Sequence, residues 1–211
     1  MQIAILIFDG LTALDAIGPY EVLSRVPGAE LRFVAKQAGP KRTDTGALGV
    51  QADLALADLA DPEVVLVPGG PGNRALMSDP EVLEWLRAAH GGSTWTTSVC
   101  TGALVLGAAG ILEGKRATTH WAFVDRLPEF GAEPLAQRVV EDGKVITAAG
   151  VSAGIDMALT LASRLASDQV AQAIQLGIEY DPDPPFDTGS PAKASPEAIE
   201  LIRAMERGQS S

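Results

Sequence analysis

The one cysteine of this 211-residue chain, Cys100, occupies a position typical of a nucleophile. It follows the β-branched run 94–99, which predicts a strand, and Gly102 stands two residues on, where a helix begins. A side chain on such a turn points out over the edge of the sheet, and the N–H groups that start the helix favour a thiolate. A small buried hydrophobe is the alternative role. With no second cysteine in the chain, an internal disulfide is excluded.

Asp15 is the candidate acid/base group. It lies just beyond the first predicted strand, and its neighbours in sequence are apolar. In such a setting, burial and a nearby thiol would shift the pKa of a carboxyl. A helix cap is the alternative for an aspartate at this place. The sequence leaves both roles open.

The Gly-Gly-Pro-Gly turn at 69–72 follows another buried strand and can bring backbone N–H groups close to a ligand. We expect an N–H group of Gly69 or Gly70 to form a donor pair with that of Thr101, and this pair would stabilise an anion developing near Cys100. A tight turn without a binding role is the alternative. A phosphate loop is disfavoured because no Gly-Lys-Ser/Thr follows.

Three more residues at predicted strand ends are candidates for accessory roles. His120 is either the base of a Cys-His pair or a hydrogen-bonded structural histidine. Gly150 and Val151 open a long predicted helix, and we expect them to line a pocket near Cys100. Two histidines and one cysteine are too few for a four-ligand Cys/His zinc site, so we predict no metal.

Short apolar strands alternating with helix-period segments must position these residues. Strands are predicted at 3–8, 30–36, 63–67, 94–99, 117–119, 135–140 and 144–148, with a hairpin at 42–51. Helices are predicted at 14–25, from Pro80 on, and at 101–109, 121–127, 151–166, 169–178 and 197–207, with a loop at 181–191. This pattern predicts a single α/β domain over 1–211, a doubly wound, mostly parallel sheet with helices on both faces. Ligands of such sheets bind beyond the carboxyl ends of the strands.

Charge and the N-terminus narrow the class of partner and compartment. The formal net charge of −11 disfavours binding to nucleic acid and to anionic membrane surfaces. The apolar run 2–8 is short and has no basic residue before it, so we predict neither a signal peptide nor a membrane span. We therefore expect a cytoplasmic protein in which Cys100 is a free thiol.

Several segments together resemble the ThiJ/PfpI superfamily, which shares a flavodoxin-like fold with class I glutamine amidotransferase domains. The resemblance spans essentially the whole chain, and it lies in the segments 9–19, 67–70 (VPGG), 98–103 (SVCTGA) and 117–121 (ATTHW). Within the superfamily the chain is similar to the isonitrile hydratase branch. Asp15 stands where many relatives carry glutamate, and the segment 179–186 (EYDPDPPF) resembles the C-terminal part of that branch.

This resemblance implies a homodimer without a cofactor that adds water to a small isocyanide and yields an N-substituted formamide. Cys100 would attack the terminal carbon as a thiolate and form a thioimidate. Asp15 would protonate or steer that intermediate and then activate water. Thr101, Gly69 and Gly70 would help to hold the site.

The same motifs leave two other functions open. They also occur in the amidotransferase-like N-terminal domain of AraC-type regulators, which a DNA-binding helix-turn-helix module follows. This chain ends about a hundred residues too early for such a module, so we expect a stand-alone ligand-binding or redox-sensing domain in this case, with Cys100 as the sensor. Another activity of the superfamily, of glyoxalase or hydrolase type, would use His120 as its base.

Overall fold

A seven-stranded sheet forms the core of the computed structural model, which describes residues 1–59 and 61–208. The strands are, in chain order, β1 (Gln2–Leu6), β2 (Glu30–Ala35), β3 (Gly39–Arg42), β4 (Gly49–Ala52), β5 (Leu54–Ala55), β6 (Val64–Val67), β7 (Trp95–Val99), β8 (Arg116–Ala117), β9 (Glu133–Pro134), β10 (Val139–Asp142) and β11 (Val145–Ala148). The order in the main sheet is β10-β11-β7-β6-β1-β2-β5. All neighbours run parallel except the hairpin β10–β11. The predicted fold class is confirmed.

The central strands are buried almost throughout because helices cover both faces of a parallel sheet. Every residue of β6 and β11 is buried, and so is all of β1 except its first residue. Alternation of polar and apolar residues is confined to strands nearer the edges, such as β2. The continuous apolar runs therefore identified the middle of the sheet correctly.

The helices up to residue 178 fall into two packed groups, and one further helix of the described residues follows them. The helices are α1 (Ala13–Leu23), α2 (Asn73–Leu76), α3 (Pro80–Gly92), α4 (Gly102–Ala108), α5 (Ala153–Leu165), α6 (Asp168–Gly177) and α7 (Pro196–Gly208), with 3₁₀ segments at Leu56–Asp58 and Trp121–Phe130. One group consists of α1, α5 and α6, and the other of α2, α3, α4 and the second 3₁₀ segment. No helix in the described part of the chain is both long and apolar enough to cross a membrane.

Two helices begin at the residues that the sequence indicates. Asp79 accepts hydrogen bonds from the N–H groups of Glu81 and Val82 at the start of α3, where Pro80 takes the first helical position. Ser167 accepts from the N–H of Val170 in the same way at the start of α6. Local capping chemistry thus sets these boundaries.

The structure corrects several element boundaries. The hairpin predicted at 42–51 is present as β3 and β4, outside the main sheet. The strand predicted at 135–140 begins only at Val139, because its partner β11 is four residues long and pairs with no more than that. Four short elements of the described residues were not predicted, namely β5, β9, α2 and the 3₁₀ segment Leu56–Asp58.

The chain divides into two compact units, Met1–Ile178 and the residues from Glu179 onward. The first unit holds both helix groups and all the strands. The second consists of α7 and, before it, a loop without regular secondary structure, as the sequence predicts for 181–191. The single domain over 1–211 stays a prediction.

Candidate active site

Cys100 lies on a sharp turn between β7 and α4, in a backbone conformation that side chains rarely adopt. Its φ is 55°, in the left-handed region. Its N–H donates to the carbonyls of Ala149 (2.9 Å) and Ala148 (3.1 Å), and its carbonyl accepts from the hydroxyl of Thr119 (2.7 Å). A Cβ at Gly102 would overlap the carbonyl oxygen of Val67 in the neighbouring strand β6, so only glycine fits there. Bonds on both sides of Cys100 hold the strained turn in place.

Asp15 lies in the first turns of α1 with its side chain fully buried. One carboxyl oxygen, Oδ2, accepts the N–H of Gly69 at 2.8 Å. The other, Oδ1, has no nitrogen or oxygen partner within the described residues. The helix-cap alternative is therefore wrong for Asp15, because its hydrogen bond goes to a loop 54 residues away and the N-cap position belongs to Thr12.

Burial raises the pKa of the Asp15 carboxyl to about 7, since the charged form loses its hydration. The N–H of Gly69 and the neighbouring Cys100 thiol lower this pKa, and the negative charge of Asp44 raises it. A carboxyl with this pKa is present in both protonation states near neutral pH. It can therefore both accept and donate a proton there.

Gly69 is the point at which the predicted residues meet. A Cβ on Gly69 would lie 2.7 Å from Asp15 Oδ2, from Cys100 Cβ and from the backbone nitrogen of Thr101. The three atoms, Asp15 Oδ2, Cys100 Cβ and the Thr101 nitrogen, therefore lie within twice 2.7 Å of one another. The structure brings Cys100, Asp15, Thr101 and Gly69 together, and it leaves no room for a side chain between them.

The surroundings of the Cys100 thiol favour its protonated form, contrary to the expectation of a thiolate. Its side chain is buried, and burial together with the charge of Asp15 raises the pKa of the thiol to about 12. The N–H groups of Thr101 and Val151 and the Thr101 hydroxyl lower this pKa, since they donate to the sulfur and stabilise its charged form. Desolvation outweighs these donors, a balance that the sequence alone does not indicate.

The N–H groups that surround Cys100 are not the pair expected from the sequence. The N–H of Gly69 is engaged by Asp15, and that of Gly70 donates to Thr101 Oγ1 at 3.0 Å. The second N–H donor to the sulfur is that of Val151 instead. Val151 reaches this place because β11 lies beside β7 in the sheet and both end at the same edge. Its φ of 22° shows a strained backbone there as well.

Asn73, the first residue of α2, belongs to the site although it was not among the residues predicted from the sequence. Its side chain is 3% exposed, and its Nδ2 donates to Thr101 Oγ1 at 3.0 Å and to the Pro68 carbonyl at 3.4 Å. The signal in the sequence was a polar residue directly after the Gly-Gly-Pro-Gly turn. That turn carries Asn73 back against the start of α4.

His120 lies at the border of the site and acts as a helix cap. Its Nδ1 accepts the N–H of Ala122 at 3.4 Å, at the start of the second 3₁₀ segment. Its ring lies so close to Gly150 that a Cβ there would come within 2.6 Å of it, and it also packs against Phe123. Burial lowers the pKa of the imidazole, so the ring is neutral. These contacts support the structural role of His120.

The arrangement as a whole joins a buried thiol to a buried acid that can exchange protons near neutral pH. In residues 1–59 and 61–208, no group of three or more His, Cys, Asp or Glu side chains is placed to hold a metal ion. The chemistry that these side chains themselves can perform is nucleophilic addition coupled to proton transfer.

Two curated proteins of different function are similar to this chain in sequence. The chain is 45% identical to the isonitrile hydratase of Pseudomonas putida over 203 residues, which are 96% of this chain and 89% of that protein. It is 30% identical over 168 residues to the HTH-type transcriptional regulator CdhR of Pseudomonas aeruginosa. That match covers 78% of this chain but only 49% of the regulator.

A solved structure and a family model agree with the fold. The crystal structure of a ThiJ/PfpI family protein from Pseudomonas syringae superposes with a TM-score of 0.94 at 38% identity, over 99% of this chain and 87% of that one. The model of the DJ-1/PfpI family matches residues 1–164, which include the whole candidate site. The chain therefore belongs to the DJ-1/PfpI family.

Proposed function

We propose that this protein is an isonitrile hydratase, which adds water to R–N≡C and gives the N-substituted formamide R–NH–CHO. The observation that carries the proposal is the 45% identity to the isonitrile hydratase of Pseudomonas putida over nearly the full length of both chains. The pairing of Cys100 with the buried acid Asp15 supports it, because the reaction needs one nucleophile and one group that moves protons.

In the first half of the proposed reaction, the ionised Asp15 takes the proton of the Cys100 thiol as the sulfur attacks the terminal carbon of the isocyanide. The same carboxyl then gives that proton to the carbon, and the product is the thioimidate Cys–S–CH=N–R. No proton enters or leaves the site in this half. The unpartnered Oδ1 of Asp15 is the atom we assign to the transfer, because Oδ2 is occupied by the N–H of Gly69.

In the second half, Asp15 takes a proton from water as the water oxygen adds to the thioimidate carbon, and returns it to the nitrogen. The tetrahedral intermediate Cys–S–CH(OH)–NH–R then loses the thiolate as its hydroxyl becomes the formyl carbonyl. The hydroxyl proton returns through Asp15 to the sulfur. The sum of both halves is the addition of one water molecule, and the thiol is regenerated.

The backbone around the sulfur serves both halves. The N–H groups of Thr101 and Val151 point at the sulfur and stabilise its negative charge when it attacks and again when it leaves. Gly69 fixes the acid through its N–H, and Gly70 fixes Thr101. We assign these residues to positioning and Cys100 and Asp15 to catalysis.

We further propose a cytoplasmic homodimer that acts on a small isocyanide and uses no cofactor. The isocyanide carbon accepts a nucleophile once a proton can be delivered to it, so an acid and a thiol suffice for the chemistry. The formal charge of −11 supports a small neutral substrate over nucleic acid or an anionic membrane.

A ligand- or redox-sensing domain is the second candidate, and the 30% identity to a transcriptional regulator favours it. Oxidation of a cysteine proceeds through the thiolate. The raised pKa of Cys100 leaves little thiolate at neutral pH, which opposes the redox form of this candidate. A sensor that binds a ligand without turnover is separated from an enzyme by the assay below.

The test is to incubate the purified protein with cyclohexyl isocyanide and to measure the formamide by chromatography. We expect turnover by the wild type and none above background by Cys100→Ala or Asp15→Asn. Absence of turnover in the wild type with several isocyanides would remove the hydratase from consideration. Turnover that survives Cys100→Ala would contradict the covalent mechanism, and loss of turnover in His120→Ala alone would point to the histidine-based alternative.

A further inference from the structure

The hydroxyl of Thr101 has a hydrogen-bond direction that its neighbours determine. A threonine hydroxyl offers one hydrogen and two lone pairs. The N–H of Gly70 and the Nδ2 of Asn73 both lie 3.0 Å from Thr101 Oγ1. A backbone N–H can only donate, so it occupies the first lone pair. The identity of the second bond depends on which end of the Asn73 amide faces Thr101.

Pro68 decides the orientation of that amide. Its backbone carbonyl can only accept, and it lies 3.4 Å from the same Asn73 nitrogen. If the amide were turned over, two oxygens would face each other at this place. The NH₂ group of Asn73 therefore faces both Pro68 and Thr101, and it occupies the second lone pair of Thr101 Oγ1. The only hydrogen left on that oxygen is its own, and it is free to point away from both donors toward Cys100, whose thiol pKa the Thr101 hydroxyl lowers as a hydrogen-bond donor.

The orientation of Asn73 comes at the expense of its own carbonyl oxygen. Oδ1 of Asn73 is buried and has no hydrogen-bond partner among the residues that the structure describes. Such orphaned buried oxygens are rare in folded proteins because they are unfavourable. A side chain that served only packing would not need an amide at this place. A use for the donor end explains why an amide is retained.

The geometry points to Asn73 as a positioning residue that, with Gly70, sets the Thr101 hydroxyl as a hydrogen-bond donor to the Cys100 sulfur. The chain of bonds runs from Asn73 to Thr101 and from Thr101 to Cys100, and Pro68 fixes its direction. It strengthens when negative charge develops on the sulfur, because bonds to charged acceptors are the stronger ones. This inference deepens the proposed function and rests on it in so far as Cys100 is the nucleophile.

The test measures the alkylation of Cys100 by iodoacetamide at pH 8, which follows the thiolate and needs no isocyanide. We expect Thr101→Val to slow alkylation by roughly tenfold, the effect of losing one hydrogen bond to a charged group. Asn73→Leu should slow it severalfold, and the double variant should be no slower than Thr101→Val alone. Thr97→Val, which removes a buried hydroxyl that donates to the Val65 carbonyl, is the matched control and should alkylate at the wild-type rate.

Two results would overturn the inference. One is an unchanged rate in Asn73→Leu, and the other is a further slowing of Thr101→Val by the second substitution, which would show that Asn73 acts independently of the hydroxyl. If Asn73→Leu does not fold, Asn73→Asp keeps the shape and turns the donor into an acceptor, and it should be as slow as Thr101→Val.

Alkylation and hydration fail separately. If the variants show the expected alkylation pattern but the wild type hydrates no isocyanide, the hydrogen-bond chain is supported and the proposed function is refuted. If the wild type hydrates isocyanides but Thr101→Val is alkylated at the wild-type rate, only the hydrogen-bond chain is refuted. Within the hydratase assay, Asn73→Leu should lower kcat with little change in KM, since the chain acts on the sulfur rather than on substrate binding.

Discussion

Replacing Asp15 by asparagine should stabilise the protein at pH 8 and lose that advantage in acid. An asparagine side chain has the same shape as aspartate, so the N–H of Gly69 keeps its acceptor while the ionisable group is gone. In the wild type, the pKa of Asp15 rises from 3.8 to about 7 on folding. Between these two pH values the native state holds a proton that the unfolded state has released. Unfolding therefore becomes more favourable as the pH rises through this window.

The size of the effect follows from the shift in pKa. Between pH 4 and pH 8, the free energy of unfolding of the wild type should fall relative to that of Asp15→Asn. About three pKa units at 1.36 kcal/mol each give an upper bound of about 4 kcal/mol for this fall. For a chain of this length that corresponds to a change of roughly 10 °C in the gap between the two melting temperatures. Well below pH 4 both states bind the proton, and the gap is constant.

The assay is urea or thermal unfolding of both proteins at pH 4, 6 and 8. Measurements stop at pH 8 so that the thiol of Cys100, which also has a raised pKa, does not contribute. Asp79→Asn is the control, because the hydrogen bond from Lys36 lowers the pKa of Asp79 below 3.8, so that this carboxyl stays ionised in both states over most of the range and its gap to the wild type should stay nearly constant from pH 4 to pH 8. A gap between wild type and Asp15→Asn that stays constant from pH 4 to pH 8 would refute the assignment of a raised pKa to Asp15.

Three further predictions concern the same site. Gly69→Ala should abolish formamide production and lower the melting temperature, because the added Cβ would lie only 2.7 Å from atoms of Asp15 and Cys100. Gly91→Ala in α3 is the control: a Cβ there has nothing within 4 Å, so kcat and the melting temperature should stay near the wild-type values. Alkylation of Cys100 at pH 8 should be faster in Asp15→Asn than in the wild type, since the carboxylate charge raises the pKa of the thiol; slower alkylation would contradict that. His120→Asn should keep most of the turnover, as asparagine also caps helices, and a hundredfold loss of kcat would instead assign the imidazole to the chemistry.

The sheet was predictable because the amino-acid composition of its strands indicates which of them are buried. The run 64–67 is uniformly apolar and could only lie between two covered faces. The edge strand β5 and the short helix α2 have two and four residues, too few for a period to show. They form because neighbouring chain segments offer hydrogen-bond partners, which is information that the local sequence does not contain.

Within the site, the residues that lie at the ends of strands were predictable, whereas the hydrogen bonds between them were not. Cys100 and Asp15 follow from their positions after β7 and β1, since parallel strands deliver their carboxyl ends to one edge. Which N–H faces the sulfur depends on the backbone path of the loops, so Val151 took the place expected for the glycine turn. Asn73 was missed because its partner, Thr101, lies 28 residues away in sequence.

A neutral resting thiol, which the raised pKa of Cys100 favours, is an advantage for the proposed reaction rather than an obstacle to it. A thiolate stored in this buried place would carry a charge beside the ionisable Asp15, and the two negative charges would repel. With the proton on sulfur, the site holds at most one charge while a neutral isocyanide enters. The N–H groups of Thr101 and Val151 then gain their full strength only as the sulfur becomes negative during attack and departure. Donors whose bonds strengthen in the transition state lower the barrier without tightening the binding of the ground state, which is the requirement for raising kcat.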